Sequence, residues 1–210
     1  MATLNLQVSA STNDAFNRGG IHPGTGSYSA TGANNNIGAN SFFFFLVGAR
    51  FTNVTIPQGS TITAASLQVC ANANDSTQLD VTIAAENADS PGAFAGTTHE
   101  PYQAYNSKTT ATVRWNVGTA SWTAGSWYAS ADLTSVIQEI VNRAGWASGN
   151  AIVLVVYNTS TSLPGGNQFR VIRMWDYAGN ASGMKLGITY TPPAAKVPAA
   201  MRSYRQRRAA

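Results

Sequence analysis

Helical periodicity occurs in one stretch, Asp132 to Trp146 (DLTSVIQEIVNRAGW), and its isolation constrains the fold more than any other feature. Leu133, Val136, Ile137, Ile140 and Val141 recur at spacings of three and four and share one helix face. Asp132 can cap the first turn, Gln138 and Glu139 face away, and Gly145 gives the chain a backbone on which to stop. The pattern predicts one amphipathic helix of about three turns. Its apolar stripe must be buried, and strands have to supply the surface that buries it.

The strand signal is a period of two. Leu4, Leu6 and Val8 alternate with polar residues, as do Val113, Trp115 and Val117, and Leu186, Ile188 and Tyr190 before Pro192 and Pro193. Ile62 to Cys70 and Leu79 to Ala85 read as an antiparallel pair turning at Asn72, Asn74, Asp75 and Ser76. Two runs lack alternation, as expected of strands covered on both faces: Phe42 to Val47, and Ala151 to Tyr157, the most hydrophobic run and the predicted central strand. Phe169 to Met174 has one mixed face. Residues 9–41 read as a long polar loop with one weak strand near Ser27 to Ala30, and residues 86–109 as a second polar connection. Eight to ten short strands and one helix give the predicted class: all-β, an antiparallel sandwich, most simply a jelly roll, with one amphipathic helix packed on it.

A chain of 210 residues suits one such domain, residues 1–193, followed by an arm, residues 194–210. Charged residues are only 10% of the total, and five of the 13 basic ones, Lys196, Arg202, Arg205, Arg207 and Arg208, follow the last strand. Removing them leaves eight basic residues against nine acidic ones, so the body is near neutral and does not read as a nucleic-acid-binding domain. The arm, with Tyr204 among its cations, has the composition of a segment that lies on an acidic protein surface or on nucleic acid, or of a disordered solubilising end. The single Cys70 reads as a small buried strand residue. The N-terminus has no basic and apolar leader, and the longest apolar run is too short for a bilayer, so neither secretion nor membrane insertion is expected.

No catalytic constellation stands out. The carboxylates are scattered, no nucleophile elbow or phosphate loop is present, and His22 and His99 sit in separate loops and read as exposed. Glu86, Asn87 and Asp89 offer hard oxygen ligands for calcium, although the set is incomplete and turn-stabilising hydrogen bonds are the simpler reading. No cofactor is called for. Trp115 and Trp146 fall in phase with core positions, whereas Trp175, Asp176 and Tyr177, in a loop after a strand, form the candidate ligand surface.

FTNVTIPQGSTITAASLQV, AENADSPGAF, VRWNVGTASWTAG, DLTSVIQEIVNRAGWASGNAIVLVV and MKLGITYTPP, in that order between about Phe42 and Pro193, resemble the DNRLRE-type family of jelly-roll modules. That family looks like carbohydrate-binding modules, and its members are attached to bacterial surface proteins and found in phage virions. The resemblance implies the sandwich fold. Joined to the charge distribution, it leads to the expectation of a non-enzymatic structural protein of a bacteriophage virion, made in the host cytoplasm. Such a protein would be a capsid decoration or cement protein, or a tail or fibre component. Its partners would be other virion proteins, and it would be a homo-oligomer whose basic arm (Lys196, Arg202, Tyr204, Arg205, Arg207 and Arg208) engages them. The alternative is a glycan-binding or receptor-attachment module.

Overall fold

The computed structural model describes residues 1–194, so the basic arm lies outside the described residues apart from its first. Among the described residues, twelve strands form two antiparallel sheets, β1 (Ala2–Gln7), β2 (Asp14–Gly19), β3 (Ser27–Ser29), β4 (Asn34–Ala39), β5 (Phe44–Phe51), β6 (Thr61–Cys70), β7 (Leu79–Ala85), β8 (Val113–Gly118), β9 (Trp127–Ala129), β10 (Ile152–Asn158), β11 (Gln168–Arg173) and β12 (Lys185–Thr191). The smaller sheet has the order β1-β12-β6-β9, and the larger β11-β4-β5-β10-β7-β8, with β2 also paired to β5 and β3 to β2. This is the expected all-β sandwich. Among the described residues no helix is long and apolar enough to cross a membrane.

The absence of alternation in β10 has a direct cause. Ile152, Leu154 and Val156 enter the core between the sheets, while Val153, Val155 and Tyr157 enter a second cluster on the outer face of the larger sheet. Leu46 of β5 and Ala84 of β7 join that second cluster, which is covered by Phe94 and by α1 (Pro101–Asn106) through Ala104, Tyr102 and Tyr105. The polar connection 86–109 is therefore a strap that gives the sheet its second buried face. Phe94 fits closely against β5, since a Cβ at Gly48 would stand 2.4 Å from its ring.

The predicted helix is α2 (Thr134–Val141), shorter than the sequence pattern, with Val136, Ile137, Ile140 and Val141 buried against the core. Leu133 occupies the N-cap position, but Asp132 does cap the first turn, its Oδ1 accepting the Thr134 amide at 3.2 Å. The same oxygen accepts the Ala65 amide at 3.0 Å and the Thr134 hydroxyl at 2.8 Å, joining the start of the helix to β6. Gln138 and Glu139 do not simply face water. Gln138 accepts the Ile62 amide at 2.8 Å, and Glu139 accepts the amides of Thr110 and Ala111 at 2.9 and 2.7 Å. Gly145 is needed for space, because a Cβ there would lie 2.0 Å from Asp89 Oδ2. Trp146 is core, and its indole N–H donates to the Ile56 carbonyl at 2.9 Å.

Four local expectations are corrected. Segment 9–41 is not a long loop with one strand, because β2 and β4 also lie in it. Their Asn- and Gly-rich sequences are weak strand formers that are held by pairing with β5 and β11. Strands β6 and β7 do not pair with each other: β6 lies between β12 and β9, and β7 between β10 and β8. Period two fixes which face is buried, not which strand is the neighbour. Phe42 and Phe43 lie outside the strand on the hairpin tip between β4 and β5, where Asn40 Oδ1 accepts both of their amides and turns the chain outward. Finally, α1 and α3 (Trp175–Ala178) are short helices without enough length to show a periodic pattern.

Candidate functional site

The three residues proposed as a ligand surface do share one turn. Met174 is buried at the end of β11, and α3 begins immediately after it, so Trp175, Asp176 and Tyr177 project where the chain leaves the sheet. They have different environments. Trp175 is half-buried and packs on the core, with its indole N–H enclosed and lacking a hydrogen-bond partner among the described residues. Asp176 Oδ2 lies 2.8 Å from the Ser11 hydroxyl, which is also 2.8 Å from the Ala30 carbonyl, so that one hydroxyl proton serves two acceptors in turn. Tyr177 is 44% exposed, and the Arg173 guanidinium stacks on its ring at 4.2 Å. The candidate ligand surface thus contracts to Tyr177 and its stacked arginine.

Beneath the turn lies a group that the sequence did not single out. Asp14, at the start of β2, is 1% exposed, and its Oδ2 accepts the Trp175 amide at 2.7 Å. Its Oδ1 is buried without a partner among the described residues. Burial pushes this carboxyl up to about 7. The Trp175 amide opposes the rise, and the neighbouring charge of Asp176 adds to it. A carboxyl half-protonated near neutrality has the acidity of a general acid or base, but this one is closed to solvent and holds a turn in place.

The calcium candidates are engaged elsewhere. Glu86 Oε2 lies 2.9 Å from His99 Nε2, Asp89 Oδ1 accepts from Arg143 Nε at 2.7 Å, and Asn87 Oδ1 accepts from the same guanidinium. An arginine and a histidine face the oxygens that would have faced the metal. Neither histidine is a free loop residue. His22 packs among Phe44, Tyr105 and Tyr157 with Nε2 at 2.8 Å from the Asn158 carbonyl, and His99 is held by Glu86.

Two surfaces missed in the sequence are more open. At the β4–β5 tip, Phe42 is 72% exposed and Phe43 38%, with Ile21 at 70% on a segment beside the Phe42 backbone and the Arg18 guanidinium 5.1 Å from the Phe43 ring centroid. A run of four phenylalanines reads as core, and only the Asn40 turn divides it. The second surface is the outer face of the smaller sheet. Its register sets Asn5, Gly187 and Ser66 in one row and Gln7, Lys185 and Gln68 in the next. Lacking a side chain, Gly187 leaves an open depression of about 400 Å³, and Lys185 Nζ sits 3.8 Å over the Trp127 ring. Alternation predicts each outward residue, but only strand order brings them together.

No protein-family model matches the chain, and no curated protein sequence does.

Proposed function

We propose that this chain is a non-enzymatic structural protein of a bacteriophage particle, a decoration or cement protein of the capsid or a component of the tail or fibre, acting through subunit contacts. The observation that carries the reading is the apolar tip formed by Phe42, Phe43 and Ile21. Large apolar side chains clustered at one end of a sandwich, with a cation beside them, are the usual mark of a surface that becomes covered. The near-neutral body and the resemblance to jelly-roll modules agree with it, and the cations of the arm from Lys196 to Arg208 would add a second contact with virion proteins. Repetition of such a contact in a homo-oligomer follows from closed symmetry. Fractionation of the native source tests it. The protein should sediment with particles, and a wholly free pool would sink the reading.

A second reading, a glycan-binding or receptor-attachment module, is favoured by one observation. The open face of the smaller sheet sets the amides of Asn5, Gln7 and Gln68 beside Lys185 around the Gly187 depression, with Trp127, one face of its ring under the Lys185 ammonium, at its margin. Amides pair with sugar hydroxyls and an indole face accepts sugar C–H groups. A glycan array should show binding lost in Trp127→Ala and retained in Tyr177→Ala. The reverse pattern would move the site to α3.

A further inference from the structure

His99 stands at the end of the turn that carries Phe94, and both of its ring nitrogens face oxygen acceptors. Nε2 is 2.9 Å from Glu86 Oε2 and Nδ1 is 3.2 Å from the Ala93 carbonyl. Neutral imidazole has one N–H and one lone pair, so it can satisfy only one of these acceptors and must point its lone pair at the other. Imidazolium satisfies both. The ring also stacks on Phe94, with centroids 5.3 Å apart and planes 14° apart, so it forms the outer cover of the side chain that seals the second buried face.

The other groups around this ring divide clearly. Glu86, immediately after β7, is its carboxylate partner. Arg50 of β5 is the opposing cation, and it is engaged by the Pro91 carbonyl and Asn13 Oδ1 at 2.8 and 2.9 Å. Lys108, whose backbone bridges Glu86, places its ammonium over Tyr105. Glu100, next in the chain, accepts from Asn17 Nδ2. Elsewhere the strap is tied by Arg143 to Asn87 and Asp89, and by the Phe94 amide to Thr12. Of the side chains that tie it, His99 is the one whose ordinary titration falls near neutral pH.

We propose that the turn 93–99 is a pH-gated latch. Charged His99 holds Phe94 over the outer face of the larger sheet, and loss of its proton frees the turn to lift from that face. This device is independent of what the protein binds. The direction of titration agrees with it, since the Glu86 carboxylate holds the imidazolium above the usual histidine range, burial opposing.

The test combines an NMR titration of His99 with the exchange of the Ala95 amide, which donates to the His99 carbonyl at 2.8 Å, corrected for intrinsic rate between about pH 5 and 9. Protection at Ala95 should fall about tenfold or more as His99 loses its proton, the change expected when a charge-assisted bond is lost. Glu86→Gln should move that midpoint to lower pH, and His99→Gln should abolish it. The same experiment on Asp14→Asn should leave the midpoint in place, which separates the latch from the other group that titrates near 7. The proposal is overturned if His99 titrates with no change at Ala95, if the midpoint is unmoved in Glu86→Gln, or if the fall disappears in Asp14→Asn.

Discussion

Asp14 accepts the backbone N–H of Trp175 at 2.7 Å across 161 residues of chain, so a carboxyl at the start of β2 holds the turn that follows β11. The contact joins the early segment, which reads as loop, to the end of the larger sheet. It also leaves an acid buried with one oxygen unpartnered.

Asp14 should therefore make the protein less stable as pH rises. Its carboxyl titrates near 3.8 when unfolded and near 7 when folded. Between those values the folded chain retains a proton that the unfolded chain has lost, so stability falls from about pH 4 to about 7 and is level above, by on the order of 4 kcal/mol. His99 acts in the same sense at higher pH. Its contribution is complete below the ordinary value of 6.5 and is lost as pH rises through its raised folded value. Thermal unfolding between about pH 4 and 8 should show a declining Tm, and Asp14→Asn, which keeps an acceptor for the Trp175 amide, should flatten the lower limb. An unchanged slope in the variant would refute the assignment.

Ile137 lies on the buried face of α2. Ile137→Asp should cost roughly 3–5 kcal/mol, because it puts an unpaired charge into the core, whereas Ile137→Val should cost only about 1 kcal/mol. Urea unfolding of the two variants makes the comparison. Similar midpoints would mean that the helix does not seal the sandwich.

Arg170 of β11 is fully buried, yet among the described residues no carboxylate forms an ion pair with it. Its guanidinium donates to the Thr77 carbonyl at 2.9 and 2.7 Å and to the carbonyls of Asp75 and Gly118 at 3.3 Å each, and lies 4.8 Å from the Trp122 ring centroid. It fastens the segment that crosses from β6 to β7. Arg170→Ala should lose roughly 2–4 kcal/mol by leaving several carbonyls unmatched, and Arg170→Lys should recover little, because an ammonium lacks the planar fork. Full rescue by lysine in chemical denaturation would show that charge alone is what matters.

How much of this was legible follows from what each signal encodes. The helix face, the core tryptophans Trp115 and Trp146, buried Cys70 and the central strand β10 were readable, because burial leaves a period in the residues themselves. The pairing of β6 with β12 and β9 was not, since alternation is silent about neighbours. Strands β2 and β4 were hidden because DAFNRG and NNNIGA form strands only against stronger partners. At the candidate site, Trp175, Asp176 and Tyr177 were found as a group, but Asp14 lies 161 residues away from its contact and only the fold connects them. The exposure of Phe42 and Phe43 turned on one side chain, Asn40, inside a run whose composition pointed to the core.

The proposed role in a particle is tested most directly by the protein's occupancy on it. With Phe42→Ser and Phe43→Ser combined, the sandwich should fold with a Tm close to that of the parent, because both side chains lie on an exposed hairpin tip. In competition with the parent protein during assembly, the variant should be incorporated at least about tenfold less, the effect of removing two aromatic anchors from a contact. Equal incorporation of a correctly folded variant would contradict the account that this tip is where the protein joins its assembly.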